Sequence, residues 1–290
     1  MKSILLTGGT GFIGTNLVNS FKNKFKIYIL KRSSNKKLTI NNHKNLFLIN
    51  YKNLKDIENL INKKKINYLI NLATHYTNQN DNNNLLKIIE SNILFSSIVL
   101  NSINKKYLHK VISIGTMHEH SNNQNFAPYN LYAASKKAFY DIIKFYEFKF
   151  KQIKFYNLKF YETFSDNDKR NKIIPKLINN FRINKPITIS SPDLSLNFIH
   201  VGDVISAINI LLIKNIKSGE YQIKSSNFIN IKKLIIKLNK NLNKKIKLKI
   251  NKKRFNKINY RLKKLPYWKQ KIKIENFLKK YFYENNKNKI

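Results

Sequence analysis

The 290-residue chain contains no cysteine, which excludes disulfides, thiolate zinc sites and cysteine nucleophiles and leaves nothing to argue for an oxidising compartment. It also lacks any uninterrupted apolar run approaching the roughly 20 residues of a membrane-spanning helix, because charged breaks such as Lys31-Arg32 recur throughout. The apolar stretch within Met1-Lys2-Ser3-Ile4-Leu5-Leu6-Thr7 is short and runs straight into glycines, so it reads as a first strand rather than a signal peptide. The expectation is a cytoplasmic protein without membrane insertion. Acidic residues are scarce: 15 Asp+Glu stand against 56 Lys+Arg, a net charge of +41. Such an excess invites nucleic acid, an anionic membrane or acidic partners. Lysine, asparagine, isoleucine, phenylalanine and tyrosine are abundant together along the whole chain, however, as A/T-rich codons produce on a drifting surface, and RNA-binding motifs are absent. The charge is read as drift, with a selected polyanion-binding surface as the alternative and no specific nucleic-acid partner.

What is present is an alternation of periods. Ile4–Thr7 is a short apolar run ended by glycines, and Phe12, Ile13, Leu17, Val18 and Phe21 recur at helical spacing, giving strand, turn and helix. Further strands are expected at Lys26–Leu30, Leu46–Ile49, Tyr68–Leu72, Val111–Ile114 and Ile153–Leu158, with helical patterns at Leu54–Ile61, Leu85–Ile103 and Leu131–Phe150. Strands alternating with helices specify an α/β, doubly wound parallel sheet. Beyond about residue 160 the regularity weakens. The expected division is a dinucleotide-binding domain over 1–160, to which 197–214 returns, and a smaller discontinuous substrate lobe from 161–196 and 215–290. The lysine-rich stretch Lys232–Lys264 keeps Leu234, Ile235, Leu238, Leu242, Ile246 and Leu248 in a pattern, so it reads as solvated element faces rather than a tail.

Two motifs carry chemistry. Gly8, Gly11 and Gly14, within Thr7-Gly8-Gly9-Thr10-Gly11-Phe12-Ile13-Gly14, come after the first strand and open the first helix. There the chain must turn tightly, approach a pyrophosphate and present a helix N-terminus to it, so Gly8, Thr10, Gly11, Phe12, Ile13 and Gly14 are assigned to a dinucleotide. Tyr132 and Lys136, in Tyr132-Ala133-Ala134-Ser135-Lys136, are four residues apart and share one helix face. An ammonium beside a phenol favours phenolate, which would bring a group of ordinary pKa about 10 nearer neutrality and points to carbonyl/alcohol redox. After the second strand, where an acid would hold the ribose of NAD, stand Lys31, Arg32 and Ser33. A guanidinium and hydroxyls bind a 2′-phosphate that a carboxylate would repel, so NADP is favoured and NAD remains possible. Asn53 and Asn71-Leu72-Ala73-Thr74 fall where adenine and ribose contacts are expected, and Thr116 delivers a hydroxyl to the C-terminal edge of the fifth strand.

Together with Ile174-Pro175, Phe198-Ile199-His200-Val201-Gly202-Asp203-Val204 and Leu265-Pro266-Tyr267-Trp268, these motifs resemble the extended short-chain dehydrogenase/reductases, specifically the NAD(P)-dependent epimerase/dehydratase group acting on nucleotide sugars. The segments around Thr116, Tyr132 and Asp168–Lys172 look most like the CDP-abequose synthase branch, whose members reduce a 4-keto-6-deoxy sugar on a nucleoside diphosphate. The resemblance implies a Rossmann sheet, Tyr132 as general acid, Lys136 on the nicotinamide ribose, Thr116 polarising the carbonyl and Asn92 shaping the active-site helix. It further implies a nucleotide-sugar substrate and no metal; Arg170 and Lys172, ahead of the apolar helix, are placed to meet its diphosphate, and His75, His118 and His120, near the expected sheet edge, to meet sugar hydroxyls. Related dehydratases carry Asp-Glu after the catalytic Ser/Thr, where this chain has Met117-His118, and epimerising reductases use a cysteine it lacks. Simple reduction and 4-epimerisation remain, and since epimerases hold NAD tightly the basic Lys31-Arg32 tilts the choice toward a reductase using NADPH; a non-catalytic dinucleotide-binding or polyanion-binding protein is the further alternative. Phe139, Ile142, Ile143, Phe145 and Tyr146 give the Tyr132 helix more apolar surface than one sheet face requires, and family members pair this helix in a homodimer.

Overall fold

The structure, a computed structural model, describes residues 1–34, 43–77, 79, 81–166, 168–251 and 258–287. Part of the Lys232–Lys264 stretch therefore lies outside the described residues. In its first half strands and helices alternate: β1 (Ser3–Thr7), α1 (Phe12–Phe21), β2 (Lys26–Arg32), β3 (Leu46–Tyr51), α2 (Ile57–Ile61), β4 (Tyr68–Asn71), α3 (Asn82–Ile88), α4 (Phe95–Ser102), β5 (Lys110–Ile114), α5 (Leu131–Lys149) and β6 (Lys154–Lys159). A π-helical turn, Ile89–Leu94, joins α3 to α4. The second half contains β7 (Glu162–Phe164), α6 (Ile173–Arg182), β8 (Ile187–Ile189), β9 (Ser195–Leu196), β10 (Phe198–His200), α7 (Val201–Ile213), β11 (Gly219–Gln222), β12 (Ile229–Asn230), α8 (Ile231–Asn241), β13 (Leu248–Ile250) and α9 (Ile274–Lys287).

Seven parallel strands form the central sheet in the order β11-β6-β5-β4-β1-β2-β3. Every residue of β1 and β4 is buried, as expected of a parallel sheet covered on both faces. On one face Leu17, Val18 and Phe21 of α1 and Val204, Ile208 and Leu211 of α7 pack over Ile4, Leu6 and Ile112. On the other, Ile57 and Ile61 of α2, Phe95 and Val99 of α4, and Phe139 and Ile143 of α5 cover Leu5, Leu69 and Val111. The helical rod Asn82–Ser102 is long and apolar enough to cross a bilayer by length and composition, yet here Phe95, Val99 and Leu100 are buried against the sheet. A third core, including Phe164, Phe181, Leu234 and Leu278, belongs to the smaller lobe.

One boundary differs from the sequence expectation, which left 215–290 wholly in the lobe. β11 lies within that range but pairs with β6 from Gly219↔Tyr156 to Gln222↔Lys159, as the seventh strand of the main sheet. It starts at a glycine with φ 145 and carries Glu220 and Gln222, so it lacks the continuous apolar run of the interior strands. An edge strand does not need that run, which is why pattern alone missed it.

The C-terminal segment is fastened to this sheet through Asp203 on α7. Its buried carboxylate accepts the Lys271 N–H and the Ile272 N–H, both at 3.0 Å, while its own carbonyl accepts Trp268 Nε1–H at 3.0 Å. Asp203→Asn turns an NH₂ toward one of the two donors. The expected loss is about 2 kcal/mol, read as a fall in Tm of about 5 °C; an unchanged melting curve would show the clasp to be dispensable.

Candidate active site

The strand order reverses between β1 and β4, so the chains leaving their C-terminal ends diverge and open a crevice. Thr7, the last residue of β1, fixes its floor: the hydroxyl donates to Asn71 Oδ1 at 2.6 Å and accepts the Leu72 and Ala73 N–H groups, each at 3.1 Å. These bonds draw the Leu72-Ala73 backbone so close to the glycine loop that a Cβ on Gly8 would sit 2.7 Å from Ala73 N. Gly8 also has φ 65, and a Cβ on Gly14 would come within 2.1 Å of the Gly8 carbonyl oxygen. Both positions require glycine. α1 then begins without a side-chain cap or an acidic residue in its first turn, leaving its N-terminal dipole open to an anion.

A cavity of about 780 Å³ fills the crevice. The structure brings to it Gly8, Thr10, the run Gly11 to Gly14, Lys31, Arg32, Leu72 to His75, Thr116, His118, Tyr132, Lys136, Arg170 and Lys172. The glycine-only close approaches, the uncapped helix end and a cavity of this volume, lined from Arg32 to Tyr132, fit a dinucleotide.

Of the expected residues, Asn53, Ser33, Asn71, Asn92 and His120 do not line the cavity; Asn71 is buried against Thr7 and Ser96, and His120 is buried with Nδ1 against the Asn125 carbonyl. Exposed Asn53 heads the turn Leu54–Asp56, where its N–H donates to Asp56 Oδ2 at 3.0 Å. The Ser33 hydroxyl donates to the Tyr51 carbonyl at 3.0 Å. Asn92, expected among the catalytic residues, is buried one layer behind the cavity wall and reaches the site through its hydrogen bonds. Its Oδ1 accepts the His75 N–H at 2.7 Å and the Thr74 hydroxyl at 3.0 Å, and its Nδ2 donates to the His75 carbonyl at 3.1 Å and to Ser135 Oγ at 2.9 Å. Asn92 lies in the π-helical turn, and through Ser135 it ties the loop after β4 to the helix bearing Tyr132.

At the adenosine end Arg32 is already engaged. Its Nη2 lies 2.6 Å from Glu90 Oε1, and hydrogen bonding to Tyr51, ahead of the Glu90 charge, raises the guanidinium pKa despite partial burial. An acid absent after β2 thus reaches Arg32 from the π turn, 58 positions away. Arg170, expected to meet a diphosphate, stacks with its Cζ 3.4 Å from the Phe12 ring centroid. Its hydrogen bonds run to both oxygens of Asp168 at 2.9 and 2.7 Å and to the Thr163 carbonyl and hydroxyl at 2.8 and 3.2 Å. Arg170 thus lines the cavity with its guanidinium stacked on Phe12 and its charge balanced by Asp168.

At the opposite end Asn130 caps α5 by accepting the Ala133 N–H at 2.9 Å, which sets the first turn carrying Tyr132. Tyr132 packs edge-on against Tyr76, ring centroids 4.9 Å apart. Burial pushes the Tyr132 phenol up, Glu119, Tyr76 and Glu162 reinforce the shift, and a hydrogen bond with Thr74 opposes it. That direction is opposite to the one expected from the ammonium four residues on, because burial, with Glu119 and Glu162 close by, penalises phenolate. Burial pulls Lys136 down to about 8, with Glu119 opposing. The protonated phenol is the form that donates a proton. Thr116 is buried at the end of β5, and its Oγ1 accepts the His118 N–H at 3.2 Å. With an oxygen lone pair so used, the hydroxyl proton is left to point at a ligand.

Glu162 and Tyr76 escaped the sequence reading. Glu162 Oε2 lies 3.4 Å from Lys172 Nζ and Oε1 lies 3.7 Å from His118 Nε2, while the Lys172 ammonium sits 4.3 Å from the Tyr76 ring centroid. Burial pushes Glu162 up, but the His118 hydrogen bond and the Lys172 charge outweigh it and hold the carboxyl at about 2. The rule that ligands meet the C-terminal ends of parallel strands, applied to β6 as it was to β5, would have flagged residues 160–163.

The chain matches the NAD dependent epimerase/dehydratase family over residues 4–223. It is 26% identical over 228 residues to CDP-abequose synthase of Salmonella muenchen, a span of 77% of this chain and 74% of that protein. Its fold is similar to dTDP-glucose 4,6-dehydratase from Bacillus anthracis str. Ames in complex with NAD, with 20% identity, a TM-score of 0.80 and coverage of 99% and 98% of the two chains. It is likewise similar to UDP-N-acetylglucosamine 4-epimerase from Methanobrevibacter ruminantium M1 in complex with UDP-N-acetylmuramic acid, with 22% identity, a TM-score of 0.77 and coverage of 93% of each. The family match takes in the glycine loop, Thr116, Tyr132 and Lys136 and ends just beyond the edge strand β11. On that match, the chain is an enzyme of the NAD dependent epimerase/dehydratase family.

Proposed function

We propose that the enzyme reduces the ketone of a 4-keto-6-deoxy sugar carried on a nucleoside diphosphate, with NADPH as reductant. When bound, the reduced dinucleotide supplies the hydride. Tyr132 gives its phenolic proton to the C4 oxygen, so that ketone, hydride and proton together make the alcohol, while Thr116 donates a hydrogen bond to the same oxygen. Lys136, charged at neutral pH, stabilises the phenolate that remains.

The observation that carries this reading is the placement of Met117, His118 and Glu119, immediately after Thr116. Met117 is fully buried and accepts a contact from Gln222, and Glu119 turns away into the protein interior. The segment that brings an acid and a base to the sugar in dehydratases thus offers only His118 to the cavity. Nothing from it is placed to remove water from C5 and C6. A second reading, a 4-epimerase with tightly held NAD, draws on the Arg32–Glu90 pair, which neutralises the cation that a 2′-phosphate would need.

Three outcomes are expected. Tyr132→Phe lowers kcat for NADPH-dependent ketosugar reduction by about 10³-fold without changing dinucleotide affinity; UDP-hexose interconversion with NAD and no ketosugar turnover would move the assignment to epimerase. Glu90→Gln frees Arg32 and lowers the KM for NADPH relative to NADH, whereas Arg32→Ala raises it; equal effects on both dinucleotides would remove the NADPH preference. The pH profile of kcat/KM for the dinucleotide falls on the alkaline side near pH 8 as Lys136 loses its proton. A plateau continuing to pH 10 would dissociate Lys136 from the limb.

A further inference from the structure

Behind Thr116 lies a cluster of buried charges that the proposed reaction does not use. Glu119 is the third residue of the 3-10 turn Met117–Glu119, and its Oε1 accepts the Thr116 N–H at 2.9 Å. Such a reciprocal cap is ordinarily a surface device. Here the Glu119 side chain is wholly buried, and its Oε2 lies 2.8 Å from the ammonium of Lys159, itself wholly buried at the end of β6. Lys159 Nζ also lies 2.8 Å from Glu220 Oε1 on β11 and 3.2 Å from His120 Nε2. His120 is fixed in turn, with Nδ1 2.6 Å from the Asn125 carbonyl and its ring stacked on Tyr260 at 4.3 Å. Gly115 leaves the room, since a Cβ there would meet Asn157 and Lys159 side chains at 2.9 Å.

Burying an ion pair gives little net stability, because desolvation of both charges offsets their attraction. A neutral amide would serve equally as a cap. What the arrangement does supply is a rigid link from two strands, β6 and β11, to one backbone N–H. We propose that Glu119, held by Lys159, is a positioning residue for Thr116, locking its backbone so that the hydroxyl proton faces the reacting carbonyl. This rests on the role proposed for Thr116 in the reduction. Glu119 is also within electrostatic reach of the catalytic pair, where its charge opposes the loss of the Lys136 proton and holds the Tyr132 phenol protonated.

The test uses Glu119→Gln, which keeps an acceptor, Glu119→Leu, which removes it, and the double variant Glu119→Leu/Lys159→Met, which also removes the orphaned cation. Each is read by kcat, dinucleotide Kd, Tm and exchange of the Thr116 amide in protein labelled with ¹⁵N-threonine. Glu119→Leu is expected to lose about 100-fold in kcat with dinucleotide Kd unchanged, and its Thr116 amide to exchange faster. Glu119→Gln should retain most of the activity and the amide protection. The double variant should regain Tm but not kcat. Recovery of kcat together with Tm, or a Thr116 amide still protected in Glu119→Leu, overturns the proposal. If wild-type protein reduces no ketosugar, the assigned reaction fails, while amide exchange still decides the positioning role by itself.

Discussion

A parallel sheet whose order reverses must hold two diverging strand ends at a fixed separation, and in this enzyme the Thr7 hydroxyl does so. It donates to Asn71 and accepts two N–H groups from the chain leaving β4, all out of water, where an unmade bond is expensive. The close approach of Leu72-Ala73 to Gly8, the place of α1 and the width of the crevice depend on that knot. Asn71 carries the constraint onward through Ser96 at 3.1 Å to the helix of the π turn. Asn92 in that turn extends it to α5. The glycine loop and the helix bearing Tyr132 are thereby registered to each other through one buried polar chain, not through surface loops.

Charge is distributed on the same plan. The chain has 15 acidic residues against 56 basic ones, yet Glu90, Glu119, Glu162, Asp168 and Glu220 all lie in or directly behind the cavity, each against a cation: Arg32, Lys159, Lys172, Arg170 and Lys159 again. In so basic a protein an unopposed cation near the site would attract anions without selectivity and raise the cost of protonating its neighbours. Pairing converts the cations into fixed geometry. The Arg170 guanidinium is fixed between Phe12 and Asp168, and Lys172 with Glu162 forms part of the cavity wall.

The elements that were legible in the sequence are those whose cause is local. The glycine loop is read from the needs of one turn, α1 and α5 from a 3.6-residue apolar period, and the Tyr132/Lys136 pair from a four-residue spacing on one helix. What failed depended on partners distant in the chain. Arg32 reads as an open cation until Glu90 arrives from a different helix, Ser33 as a free hydroxyl until the Tyr51 carbonyl of the neighbouring strand accepts from it, and β11 reads as lobe because an edge strand with Glu220 and Gln222 carries no interior-strand pattern; Asn53 is the exception, turned to Asp56 only three residues on. The phenol's protonation likewise reversed its expected direction, since spacing reveals the ammonium but not the desolvation and the carboxylates around it.

The sequence by itself thus determined the α/β alternation, the glycine loop and the Tyr132/Lys136 pair on one helix face, because backbone sterics and side-chain periodicity act over a few residues. Only the tertiary structure decided which charges face the ligand and which are cancelled, and that Glu119 lies beneath Thr116 rather than in the cavity. Coulomb forces and desolvation depend on distance in space, and the sheet brings together residues more than fifty positions apart that no local pattern connects.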